Sequence, residues 1–323
     1  MTIRWDCILI AAGLAAFATS CARKPSNTIG MIPKGTTHVF WQTVHAGGIK
    51  AARETGYEIV WNAPAVEGDR SRQIAIVESM INQEVAGIAL APIDRKALSA
   101  VVERATAAGI PVMIFDSGID TPKRLGYVGT DNKNGGRLAD RRMGEVLGGK
   151  GLVAVITDTP GSASTGERDA GFIDELHKKF PQIRLLETQY CDTSVAKSRA
   201  ITENLLTAHS DLAGVFADHE NATAGTALAL KSRNRREVKL VGFDASEHLV
   251  DDMKDGWVDS LMVQNPFQMG YDAIRDIVLK LKGQNPPAET DTGVTLVRAQ
   301  DLQRAEIQKI LFPDIQQYLA GHQ

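Results

Sequence analysis

The feature that most restricts the fold of this chain is a repeated alternation of short apolar runs with amphipathic stretches. The first runs are TIGMI (28–32), YEIVWN (57–62), AGIALA (86–91), PVMIFD (111–116) and LGYVGT (125–130). Between them the spacing predicts helices. IKAARETG at 49–56 ends in a glycine suited to a helix C-cap, and SRQIAIVESMINQE at 71–84 has apolar residues three and four apart. Strand, helix, strand, repeated, predicts parallel sheet covered by helices on both faces. The pattern restarts at GLVAVITD (151–158) and continues through IRLLETQY (183–190), LAGVFAD (212–218), VKLVGFD (238–244) and VDSLMVQ (258–264). The expectation is α/β: two doubly wound parallel-sheet lobes joined by a hinge. Residues 28–130 and 265–285 are assigned to the N-terminal lobe, and 131–264 with 286–323 to the C-terminal lobe and tail. No Pro- or Gly-rich linker parts the lobes near TDNKNGG. The boundary therefore reads as a hinge of short crossing strands.

A chain of 323 residues, 43% of them hydrophobic, can bury a core in each of two domains. The formal net charge of -3 gives no electrostatic reason to expect nucleic acid. The one dense basic run, RNRREVK at 233–239, reads as a solvated turn between a helix and a strand. At the amino terminus, Arg4 precedes an apolar stretch from Cys7 to Phe17. That length suits the h-region of a signal peptide and falls short of the ~20 apolar residues of a spanning helix. Ala18, Thr19 and Ser20 before Cys21 resemble a bacterial lipoprotein box. The resemblance implies a signal peptide over 1–20, lipid on Cys21 and a polar tether over 21–27. Cys191 would then stand alone in the mature chain, which excludes an intrachain disulfide.

Several runs end in polar residues. Lys34 follows the first, Asp116 ends PVMIFD, Asp218 and His219 follow GVFA, and Asp244 ends VGFD. In open parallel sheets ligands bind beyond the carboxyl ends of the strands, so two lobes facing each other there would form a cleft. The chemistry points to binding, not catalysis. There is no G-x-x-x-x-G-K-[ST] loop, no G-x-G-x-x-G after a strand, no H-E-x-x-H and no paired C-x-x-C, so no cofactor or metal is expected. PGSASTG at 160–166 fits a nucleophile elbow only loosely and reads as a cleft loop leading into a helix. DHEN at 218–221 has metal-capable types, but consecutive side chains do not converge on one ion.

From Thr28 to about Gly283 the chain resembles the type I periplasmic substrate-binding proteins of the ribose and galactose cluster, which deliver sugars to ABC transporters. The residues carrying the resemblance are IGMIPKGTTHVFWQ, IPVMIFDSGI, GERDAGF, NLLTAHSDLAGVFADHE, KLVGFDASE and LMVQNPFQMG, in that order. It implies a sugar or polyol ligand, ABC permease subunits as partners, a periplasmic location, and a monomer closing by hinge motion.

Site residues follow from the same resemblance. Phe40 and Trp41 match aromatics that sandwich the sugar, whose C–H faces suit a ring. Asp116 and Asp244 match strand-end carboxylates that can accept from neighbouring hydroxyls, Arg168 a ligand-binding arginine, and Gln264 an amide ligand. His38 and His219 fall at asparagine positions, and both can donate and accept. Thr193 replaces an aromatic, Ala91 an amide, and Ser117 an arginine, departures that argue for a sugar other than ribose. A lysine at Lys34 also occurs in relatives binding rhamnose-like sugars or the autoinducer-2 furanosyl signal, although the latter carry an Asp-Gln pair where this chain has Glu167 and Arg168. Lys34 and Arg168 balance Asp116 and Asp244, which favours an uncharged polyhydroxylated ligand. Two rival readings are a ligand-binding sensor that docks on a receptor and a LacI-type effector domain. The second needs an N-terminal helix-turn-helix, where this chain has an apolar leader.

Overall fold

The computed structural model describes residues 26–36 and 38–320. The expected signal peptide and the lipid-bearing Cys21 lie outside the described residues. In the first half, strands β1 (Thr28–Ile32), β2 (Glu58–Trp61), β3 (Gly87–Leu90), β4 (Val112–Phe115) and β5 (Gly126–Gly129) alternate with helices α1 (Val39–Thr55), α2 (Arg70–Asn82) and α3 (Ser99–Ala107). The second half runs α4 (Asn132–Val146), β6 (Lys150–Thr157), α5 (Ala163–Lys179), β7 (Gln182–Leu185), β8 (Gln189–Tyr190), α6 (Val195–Ala208) and β9 (Leu212–Ala217). It continues through α7 (Glu220–Ser232), β10 (Lys239–Phe243), α8 (Glu247–Lys254) and β11 (Ser260–Gln264). Then α9 (Pro266–Leu281) returns to the first lobe, followed by β12 (Glu289–Asp291), β13 (Val294–Arg298), α10 (Ala305–Leu311) and α11 (Gln316–Leu319).

The two sheets share one winding. The first is ordered β12-β5-β4-β3-β1-β2 and the second β13-β11-β10-β9-β6-β7, with β8 paired to β6. Both reverse direction beside their first strand, the place where open α/β sheets open a crevice. β13 is antiparallel to β11. β3, β4 and β11 are buried throughout, as strands covered on both faces must be. Adjacent residues feed opposite cores: Phe115 joins the cluster under α1 and α9, and Ile114 the cluster under α2 and α3. Val215 and Phe216 divide the second lobe in the same way.

Local chemistry sets the helix starts. Asp69, Asp131, Ser194 and Asn265 each accept a hydrogen bond from a backbone N–H in the first turn of α2, α4, α6 and α9. Pro266 opens α9, where its missing N–H costs nothing. Gly56 takes the left-handed conformation that ends α1.

Three segments cross between the lobes, at β5–α4, β11–α9 and β12–β13. Thr130 ties them together: its hydroxyl donates to Gln264 Oε1 at 2.8 Å and reaches the Gly293 carbonyl at 3.3 Å. Asp291 Oδ1 accepts from the amides of Asp131 (3.0 Å) and Gly293 (2.8 Å).

Two details depart from the sequence reading. The segment after 286, assigned whole to the second lobe, divides: β12 pairs with β5 in the first sheet, and α11 packs against α1, with Phe267 and Tyr318 in ring contact. IRLLETQY is also not one strand. Leu186 N still bonds Val153 O at 2.9 Å, after which the chain leaves the ladder and rejoins at β8.

Candidate functional site

The cleft between the lobes is lined from the carboxyl ends of both sheets. Lys34 follows β1, Asp116 follows β4, Asp244 follows β10 and Gln264 ends β11. His38, Phe40 and Trp41 come from the start of α1, Arg168 from α5, Thr193 from the turn before α6, and His219 from the residue preceding α7. All ten residues expected from the sequence line this one cavity.

Their geometry separates those turned to the cavity from those committed to the protein. Asp116 and Asp244 occupy equivalent places in the two lobes, each in a left-handed conformation (φ 60° and 67°) that aims its carboxylate off the strand end. Lys34 Nζ lies 3.4 Å from Asp116 Oδ2 and donates across the cleft to Ser164 Oγ at 3.2 Å. Asp244 Oδ1 accepts from Gln264 Nε2 at 2.6 Å and Oδ2 from the Glu220 amide at 3.1 Å. Gln264 therefore links the hinge hydroxyl of Thr130 to a cleft carboxylate. Burial raises the pKa of Asp244, against the pull of Arg168 and Gln264.

Arg168 is 2% exposed. Its guanidinium stacks 3.8 Å from the Phe243 ring centroid and donates to Asn132 Oδ1 and the Asp218 carbonyl, both at 2.8 Å. Trp41 Nε1 donates to Glu67 Oε1 at 2.5 Å, and Phe40 meets Trp41 edge-on. His38 lies 3.8 Å from Glu67 and 3.9 Å from Glu220, and so bridges the lobes.

Two expected contacts are turned inward. His219 Nδ1 sits 2.7 Å from Asp218 Oδ1 and Nε2 3.7 Å from Cys191 Sγ, so both ring nitrogens are engaged by the protein. Burial opposes charge on this imidazole, but the hydrogen bonds with Asp218 and Cys191 carry its pKa well above the usual histidine value. The Thr193 hydroxyl donates to the Asp192 carbonyl at 2.6 Å.

Six residues that the sequence reading did not select also line the cavity: Glu67, Asp158, Ser164, Thr165, Glu220 and Asn221. Asp158 directly follows β6 and so stands at a strand end like Asp116 and Asp244, a signal GLVAVITD already contained. Ser164 and Thr165 come from PGSASTG, whose first three residues form a turn and whose last four open α5. The cavity volume is about 60 Å³. At about 10–15 Å³ for each water, the space has room for about four to six waters, or a small ligand in their place. Among the described residues no group of three or more His, Cys, Asp or Glu could hold a metal ion, and no helix is long and apolar enough to cross a membrane.

The profile of the periplasmic binding protein domain matches residues 29–285. The chain belongs to that family. Among curated relatives of this periplasmic binding protein, the D-ribose/D-allose-binding protein of Pseudomonas aeruginosa is 30% identical over 299 residues, spanning 88% of this chain and 92% of its own length. The ribose import binding protein of Bacillus subtilis is 29% identical over 254 residues, 76% of this chain and 81% of its own. A carbohydrate transporter solute-binding protein from Agrobacterium radiobacter, solved in complex with D-arabinose, matches with a TM-score of 0.86 at 31% identity, over 89% of this chain and 99% of that one. These relatives are solute-binding proteins, not enzymes.

Proposed function

We propose that this periplasmic binding protein captures a monosaccharide or polyol by closure of its two lobes and delivers it to an ABC permease. The observation that carries this reading is the pair Asp116 and Asp244, which end corresponding strands of the two lobes and line one cavity with Trp41 and Arg168. A hydroxylated ring can donate to both carboxylates only when the lobes are together, so the ligand favours the closed form. The relatives support the ligand class, since their names specify ribose, allose and arabinose. His219 and Thr193, whose polar atoms face the protein, serve as walls, and Gln264 holds Asp244 in place. Monosaccharides and polyols, among them D-ribose, D-allose, D-arabinose and xylitol, should raise the melting temperature of the chain beginning after Cys21. No response to any of them would count against the reading.

Lipid on Cys21 would hold the protein at a membrane surface and raise its effective concentration near the permease. This second part rests on the lipoprotein-box resemblance. Cys21→Ser should release the protein from the membrane fraction, and its retention there would refute the anchor.

A further inference from the structure

The cleft holds more acid than the sequence count of Lys34 and Arg168 against Asp116 and Asp244 allowed, because Glu67, Asp158 and Glu220 line it as well. Two of these have an oxygen that accepts no hydrogen bond from the protein. Asp158 is 6% exposed, and its Oδ1 accepts no hydrogen bond from the protein. Glu220 Oε2 is likewise shut off from solvent and accepts no hydrogen bond, with His38 Nδ1 3.9 Å away. Neither Lys34 nor Arg168 donates to them: Lys34 lies against Asp116, and Arg168 donates to Asn132 and the Asp218 carbonyl. An ionised carboxylate drawn largely out of water with few donors is costly, and an uncharged sugar brings no charge to compensate it.

We propose that Asp158 and Glu220 enter the liganded cleft as carboxylic acids and donate hydrogen bonds to oxygens of the sugar. They thereby select ligands that present acceptors at those two points. This rests on the reading of the cleft as a sugar site. A hydroxyl donates once and accepts twice, so a cavity of carboxylates alone would exhaust the donors of a sugar and leave its lone pairs unanswered.

The surroundings of each group fit this role. Burial lifts the Glu220 carboxyl to about 7, with Asp244 and Glu67 pushing the same way and His219 opposing. His38, 3.9 Å off, and the amino end of α7 also favour the anion, while the Ser246 hydroxyl does not reach hydrogen-bond geometry. Burial likewise raises Asp158, helped by Asp218 and Asp192 and opposed by His219 and Lys34. A bound sugar displaces water and strengthens the burial effect, so binding takes up protons.

Calorimetric titration at about pH 7.5 in phosphate and in Tris, with D-ribose, D-allose, D-arabinose and xylitol, counts those protons. Net uptake is expected, with affinity rising about tenfold from pH 8.5 to pH 6. Glu220→Gln, neutral at every pH, should bind more tightly than wild type at pH 8.5 and show a flatter pH profile, whereas Glu220→Ala should bind more weakly throughout. Binding without proton uptake, or weaker binding by Glu220→Gln at pH 8.5, would overturn the inference while leaving the sugar site standing. No binding of any of the four at any pH would remove the sugar reading, and the inference with it.

Discussion

Asp140 shows what burial does to one side chain away from the cleft. It is fully buried on α4, and neither carboxyl oxygen has a hydrogen-bond partner. Burial, aided by Glu175, lifts its pKa to about 7, although Lys179 and Arg141 pull the other way. A folded pKa above the unfolded value near ~3.9 means that the folded chain holds the proton longer. The stabilisation is complete below that unfolded value and is lost as pH rises towards about 7. Melting temperature should therefore fall between about pH 4 and pH 7, by a few degrees more in wild type than in Asp140→Asn. Equal slopes in melting scans of the two proteins would contradict this. At this scale the sequence was most readable where position alone sets the role. Lys34, Asp116 and Asp244 stand at strand ends, and every parallel sheet directs such residues at the crevice. His219 and Thr193 were harder, because Asp218, Cys191 and Asp192 take up their polar atoms only through the fold and the turn geometry. Glu67 comes from the loop after β2, where no periodicity marks which side chain turns inward.

Helix pairs fix the height of the site. In each lobe two helices cross at backbone contact through glycines. A Cβ on Gly47 would lie 2.0 Å from the Phe267 carbonyl oxygen, and one on Gly136 would lie 2.0 Å from that of Arg168. The second crossing sets where α5 holds the Arg168 guanidinium. Gly136→Ala should cost about 1–3 kcal/mol by overpacking and should also weaken sugar binding by displacing Arg168. Melting scans and titration of one sample check both; a destabilised variant with unchanged affinity would dissociate Arg168 from the helix crossing. The major strands and helices were legible because their periods of 2 and 3.6 repeat for whole turns of the chain. β12 was not, since Glu289, Thr290 and Asp291 carry no apolar pattern and join the first sheet at its edge through backbone hydrogen bonds.

For the whole molecule, the crossing segments tied by Thr130 and Asp291 connect hinge and cleft directly: Thr130 bonds Gln264, and Gln264 bonds Asp244. A change of lobe angle thus reaches a cleft carboxylate through two hydrogen bonds, and sugar binding and closure are expected to be coupled. The two-lobe architecture could be read from the doubled strand-helix pattern. The division of the tail between lobes could not, because pairing partners for short polar segments are chosen by the assembled sheet edges. One sugar or polyol is expected to sit between Asp116 and Asp244. The most direct test is calorimetric titration of wild type, Asp116→Ala and Asp244→Ala with whichever of D-ribose, D-allose, D-arabinose and xylitol binds. Hydrogen bonds to charged groups contribute about 1.5–3 kcal/mol, so one site per chain and at least about tenfold weaker binding in both variants are expected. Wild-type affinity in both would contradict that placement.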